Sequence, residues 1–205
     1  MTDIGHSENV FVMKRLLLIL ILTLNFQSWT KADDISDFQI EGISIGDSLL
    51  KYFDEETILK NPRYDNTNTN WNNDKMFQLR TFEKGLYTEI MFALKKNDKK
   101  YIIYGISGLV KMENNISKCY SDLKSIATNL EQLFPNTIKS KLIKKKLQSD
   151  KSGESKHRAI YFDFDSGDYV EIACYDWSKK MGYWDNLRIG IITKEFDEWN
   201  NNSRD

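Results

Sequence analysis

The chain has 205 residues, with 29 Lys plus Arg against 30 Asp plus Glu and a formal net charge of −1. That balance recommends neither nucleic acid nor an anionic surface as partner. Two histidines and two cysteines are too few for a multi-histidine or multi-thiolate centre, which argues against a zinc enzyme.

Residues 1–12 carry Asp3 and Glu8, acidic residues out of place at the start of an export signal, whereas Met13 is followed at once by Lys14 and Arg15. The apolar run 16–26 has the length of a signal-peptide core and falls short of the roughly 20 apolar residues that cross a bilayer. Thr30 and Ala32 place small residues where signal peptidase reads them, so cleavage is expected after Ala32, ahead of Asp33. The expected organisation is a mis-called extension over 1–12, a signal peptide over 13–32, and one domain of about 173 residues over 33–205. The mature protein is then periplasmic or secreted, with no transmembrane segment after cleavage. A composition rich in Lys, Asn and Ile, with two prolines, fits an AT-rich bacterial genome. The glycosylation acceptor patterns at Asn115 and Asn201 are short enough to arise by chance.

Residues 38–45 alternate enough for a strand, and Gly46-Asp47 punctuates it, with Asp47 as N-cap of a short helix over 48–53. The Asn-rich stretch 61–74 has no periodicity and reads as a long surface loop. Residues 86–94 and 101–112, apolar and joined by a polar turn, read as a hairpin. From Cys119 a helical stripe of Cys119, Leu123, Ile126, Leu130 and Leu133 runs to the stop signal Pro135. Residues 137–158 are Lys-rich and are expected to fade from a short element into a flexible connector around Gly153.

The segments 158–164 and 168–176 form the clearest hairpin. A loop of Asp165, Ser166 and Gly167 puts glycine where a left-handed residue closes a bulged turn, which sets Phe162 opposite Val170 and Ile160 opposite Ile172. A shorter loop would mix buried and solvent faces. Residues 186–193 supply another strand with Leu187, Ile189 and Ile191 inward, and 194–199 a helical turn docking Phe196 and Trp199. The expected fold class is α+β: an antiparallel β-sheet packed with two or three helices. A strand precedes a helix at 42–53 and again at 105–134, which leaves open a duplicated strand-helix-hairpin unit or a chance recurrence of short elements.

Cys119 lies on the apolar helix stripe and Cys174 shares a strand face with Val170 and Ile172, so a helix packed on that sheet brings the sulfurs together. A Cys119 to Cys174 disulfide is predicted, closing about 55 residues and contributing about 4 kcal/mol in the chain-entropy model. The opening segment Ile40-Glu41-Gly42-Ile43-Ser44-Ile45-Gly46-Asp47-Ser48-Leu49-Leu50 and the closing segment from Asp185-Asn186-Leu187-Arg188 to Trp199 resemble uncharacterised exported bacterial proteins. The resemblance covers the two ends best and implies export and a small α+β domain, with no activity to carry over.

Several sites fail on chemistry. His157 sits in a Lys- and Ser-rich connector, where a solvated side chain is expected, and the hairpin register points it away from the face of Cys174, so the two make no nucleophile-base pair. Gly105 to Gly108 is too short for a phosphate loop. Asp163, Asp165 and Asp168 lack the closing acidic ligand of a calcium loop. The Lys run 139–146 reads as a solvated face. No metal and no cofactor is implied.

One constellation carries chemistry. The outward hairpin face gathers Tyr161, Asp163, Tyr169, Glu171 and Tyr175, with Arg188 on the next strand, and puts Asp163 about 7 Å diagonally from Glu171. Aromatic faces beside carboxylates suit sugars or cations. The first functional reading is a non-catalytic binding or interaction module for an unidentified ligand or envelope protein. The alternative is a hydrolase of carbohydrate using the two carboxylates as acid and base.

Overall fold

The computed structural model describes residues 34–60, 76–113 and 115–200, with backbone alone for 82–84. The predicted extension, signal peptide and cleavage point, the loop 61–74 and Asn201 lie outside the described residues.

The strands are β1 (Met76–Lys84), β2 (Tyr87–Lys95), β3 (Ile103–Lys111), β4 (Ile138–Lys139), β5 (Ile143–Lys146), β6 (Lys156–Asp163), β7 (Tyr169–Asp176) and β8 (Asn186–Ile192). The helices are α1 (Glu55–Leu59), α2 (Ile116–Leu133) and α3 (Lys194–Trp199). All eight strands join one antiparallel sheet in the order β1-β2-β3-β8-β7-β6-β4, with β5 also paired to β6. Sheet and helices together make the expected α+β class.

Because residues opposite one another in an antiparallel pair share a face, the registers align Leu79, Phe92, Ile106, Ile191, Val170 and Phe162 in one row across six strands. Each is 2% exposed or less. Helix α2 covers this face with Cys119, Leu123, Ala127 and Leu130. Ile126 and Leu133 of the predicted stripe flank that line and stay half-buried. Asn115, four residues ahead of the expected start at Cys119, caps the helix by accepting from Lys118 N at 3.1 Å. The predicted disulfide joins Cys119 to Cys174, whose Cα atoms are 6.0 Å apart, and both cysteines are fully buried.

The β6–β7 hairpin has the predicted register, Phe162 opposite Val170, Ile160 opposite Ile172 and Arg158 opposite Cys174. Gly167 closes the turn with φ of 87°, donating to Phe164 O at 2.9 Å, while Phe164 N donates to Asp168 O at 3.0 Å.

Three expectations are corrected. Residues 38–45 form no strand: Ile40 and Ile43 exchange N–H···O bonds of 3.0 and 3.1 Å around Glu41 and Gly42, whose φ values of 52° and 75° turn the chain back. Ser48, not Asp47, caps the following 3-10 turn Leu49–Lys51, because the Asp47 carboxylate already accepts from Ser44 N and the Tyr52 hydroxyl and pairs with Lys51. The Lys-rich stretch 137–158 is no flexible connector: β4 and β5 zip onto β6, and Asp150 ties the intervening turn by accepting from Ser152 N and Ser155 N at 2.9 and 3.0 Å. Of the two readings left open for 42–53 and 105–134, the described residues show no duplicated unit: 42–53 folds as a bridge and a turn, whereas 105–134 folds as β3 and α2. Strand β1 and helix α1, the latter capped by Asp54, were not anticipated.

The disulfide links the only long helix of the described residues to the sheet's middle. Replacing Cys119 and Cys174 together by alanine is expected to lower unfolding free energy by about 2–5 kcal/mol. Urea titration of the oxidised parent and the double variant measures this, and coincident midpoints would deny the cross-link a stabilising role.

Candidate functional site

The sheet face opposite α2 is built by the other half of the alternation. It presents His157, Ala159, Tyr161 and Asp163 on β6, Tyr169, Glu171, Ala173 and Tyr175 on β7, and Asn186, Arg188, Gly190 and Ile192 on β8. All six residues singled out from the sequence therefore lie on one face of three adjacent strands. That face was expected to be solvated, and most of it is not.

Its first part is a second apolar core. Tyr161 and Tyr169, 3% and 2% exposed, pack with Met76, Ala93, Ile192 and Phe196. Helix α3 produces this burial. Thr193 caps it, its hydroxyl accepting from Phe196 N and donating to Tyr104 O, and Tyr169 donates to Asp197 Oδ1 at 2.6 Å. Phe196 then enters a notch where a Cβ on Gly105 would lie 2.7 Å from its ring. Two predicted ligand-binding tyrosines are thus core residues, their rings meeting at 5.7 Å.

The second part is a polar cluster beside that core. Glu171 Oε1 accepts from the Tyr161 hydroxyl at 3.2 Å and stands 3.5 Å from His157 Nε2. The His157 ring lies 4.7 Å from the Tyr175 ring, and the Arg188 guanidinium lies 4.4 Å over Tyr175 and donates to its hydroxyl. Ala173, directly opposite Arg188 in the register, leaves room for this arm to lie across the sheet. Burial pushes the Glu171 carboxyl up, but His157, the Arg188 charge and the Tyr161 hydroxyl outweigh it and hold the group below its ordinary value. His157 is therefore no solvated histidine. It is 6% exposed, because β5 pairs across it through Lys145.

The third part went unnoticed in the sequence. Beyond Tyr175 the Trp177 ring stacks at 5.8 Å with an interplanar angle of 17°, and Tyr183 meets Trp177 edge-on at 4.9 Å. Tyr183 is 61% exposed. The carrying loop is pinned by Trp177 N donating to Asp185 Oδ1 at 2.7 Å, by Ser178 N donating to Ser155 Oγ at 2.8 Å, and by Gly182 at φ 67°. Burial pushes the Asp185 carboxyl up. The available signal was the spacing of Tyr175 and Trp177, which continues one strand face past the end of β7.

Chemically, the cluster orients rings and charge. An acid-base pair needs one carboxyl raised so that it carries a proton, and Glu171 is moved the other way. Asp163 is half-buried on the same face, opposite Tyr169. Among the described residues no three His, Cys, Asp or Glu side chains are grouped to hold a metal ion, and no helix is long and apolar enough to cross a membrane. Near the hairpin tip a cavity of about 330 Å³ is lined by Asp34, Asn136, Phe164 and Asp168 among others. Asp34 there accepts from Ser36 N, and Asp168 from Lys194 N.

Because the folded Glu171 carboxyl titrates below its unfolded value, its contribution to stability is present above the ordinary carboxylate range and lost as pH falls through the lowered folded value. Glu171→Gln is expected to cost about 1–3 kcal/mol at neutral pH, with the gap from the parent closing on acidification below about pH 4. Urea unfolding of both proteins across pH 3–7 reads it, and a pH-independent gap would remove the carboxylate from the cluster's energetics. No family model, no curated protein and no solved structure matches the chain.

Proposed function

We propose that this chain is an exported, non-catalytic binding module that holds a ligand or an envelope protein at the aromatic end of its sheet. The observation that carries the reading is Tyr183, exposed yet held edge-on against a Trp177 ring that is itself stacked on Tyr175. Ordered aromatic surface left in solvent supplies large contact area at small entropic cost, a property of recognition surfaces. Arg188 over Tyr175 adds a fixed donor next to the rings.

Export is supported by the leader pattern over 13–32 and by the buried Cys119 to Cys174 bridge, since disulfides persist in oxidising compartments. The hydrolase reading has less behind it, because Glu171 is held ionised by buried partners. Of the tyrosines first assigned to the surface, Tyr175 stays at its border. Tyr161 and Tyr169 support it from the core.

Native mass spectrometry of the protein released gently from the periplasm, followed by denatured spectra with and without reductant, tests the proposal. The expected species begins at Asp33, is lighter than the dithiol by the two hydrogens lost on bridging Cys119 to Cys174, and carries a non-covalent adduct or partner. A bare protein that acquires none in lysate would overturn the binding reading, and an uncleaved chain would overturn export.

A further inference from the structure

We infer that the basic edge of the sheet, where β5 pairs with β6, is a docking surface for an anionic phospholipid bilayer. The inference goes beyond the aromatic end and does not depend on it. Between Glu131 and Asp150 the sequence places Lys139, Lys141, Lys144, Lys145 and Lys146 and no acidic residue. Strand pairing turns this run into a fixed array. Lys144 lies opposite Arg158 and Lys146 opposite Lys156, so these basic side chains share one face, with neighbours about 5 Å apart across the strands and about 7 Å apart along them. Like charges directly opposite one another in a sheet are destabilising.

Folding alone does not account for the array. Charge on β5 guards the edge against strand addition, but that role does not call for basic residues opposite it on β6. Other strands carry matched charges, Arg80 with Glu89 and Lys95 with Glu195, each at 2.8 Å. Lys144 and Lys146 are exposed and have no carboxylate partner among the described residues. Arg158 is held by the Tyr120 ring, 3.7 Å from its guanidinium, and Asp176, which faces Lys156 at 3.9 Å, also accepts from the Tyr120 hydroxyl. Exposed Lys141, in the link between β4 and β5, extends the array.

The surroundings of the array select its partner. With a formal net charge of −1 the chain as a whole has no attraction for an anionic surface, so attraction has to come from this edge. Clustered lysines beside an anionic leaflet each add to the binding. Ile138, on β4 along the same edge, is 70% exposed, an apolar side chain that enters the headgroup boundary of a bilayer and has no use on a soluble polyanion. Single-stranded nucleic acid calls instead for open aromatic faces among the cations, and the ring within this array, Tyr120, is capped by Arg158.

Co-sedimentation of the mature, oxidised protein with unilamellar vesicles at low ionic strength tests the assignment, using phosphatidylcholine alone or mixed with phosphatidylglycerol. Pelleting is expected with the mixed vesicles and none with phosphatidylcholine alone. The double variant Lys144→Gln with Lys146→Gln is expected to bind about thirtyfold more weakly, about fivefold for each lysine, and Ile138→Ser about fivefold more weakly. Lys99→Gln with Lys100→Gln, exposed between β2 and β3, removes the same charge and is expected to leave binding unchanged. The Lys144 and Lys146 variant is also expected to unfold at the same urea concentration as the parent or a higher one, because a like-charge opposition is gone. Equal pelleting with both vesicle types, none with either, equal weakening in the two lysine pairs, or a lowered urea midpoint in the first would overturn the bilayer surface. Retention by a single-stranded oligonucleotide without vesicle binding would assign the array to nucleic acid and overturn it as well.

Discussion

The Asp165-Ser166-Gly167 turn governs what every side chain of the last three long strands faces. Gly167 adopts a left-handed conformation that a β-carbon makes costly, and Phe164 and Asp168 close the loop around it. With that turn in place, Phe162 and Ile160 meet Val170 and Ile172 on the side of α2, and Cys174 comes under Cys119. Side chains alternate with period two, so a slip of one residue would carry Cys174 to the far face and bring Glu171 beneath the helix. The disulfide and the apolar row across six strands therefore depend on the same register. Each confirms the other, because a bridge between α2 and β7 has no alternative partner once the hairpin is set.

The two faces of the sheet answer different physical problems. The α2 face is solved by burial alone, with large aliphatic and aromatic side chains meeting a helix stripe. The opposite face carries Glu171, His157 and Arg188, and a helix of six residues is the element that packs on it through Phe196. Burying a lone carboxylate in that setting is prohibitive, so the arrangement persists because Glu171 has a tyrosine hydroxyl, an imidazole edge and a guanidinium charge around it. One consequence is rigidity. Arg188 stacked on Tyr175 and His157 packed against the same ring hold Tyr175 in place, and Tyr175 in turn sets the plane of Trp177.

What the sequence reveals divides along the same physical line. Local turn chemistry and alternation were enough for the β6–β7 register, the inward residues of β8, the α2 stripe and its bridge to β7, because each depends on neighbours in the chain or on one helix-sheet contact. The segment 38–45 misled because strand-like alternation was present while Glu41 took a left-handed conformation that its residue type does not advertise. The burial of Tyr161 and Tyr169 was illegible since it depends on where α3 folds back, and that docking rests on a glycine notch in a different strand, at Gly105. His157 was misjudged for a related reason. Its burial comes from β5, whose lysines resemble a solvated run until they are paired. Lysines on such a short edge strand also discourage further strand addition, which gives the Lys-rich composition of 143–146 a structural role.

The aromatic end acquires significance from this asymmetry between supported and exposed rings. A chain that buries Tyr161 and Tyr169 completely, on the same strands, has no difficulty hiding aromatic surface when folding alone requires it. Tyr183 remains in solvent although its loop is pinned at Trp177, Ser178 and Gly182, so its exposure is a fixed feature of an ordered loop. Order in the free state lowers the conformational entropy lost when a ligand arrives, and a ring with few rotatable bonds lowers it further. The series of ring contacts from His157 through Tyr175 and Trp177 to Tyr183 then links the buried charged cluster to the exposed ring. Polar groups that look misplaced in the sheet interior thereby acquire a structural part: they hold the base of an aromatic series whose outermost ring, Tyr183, stands in solvent.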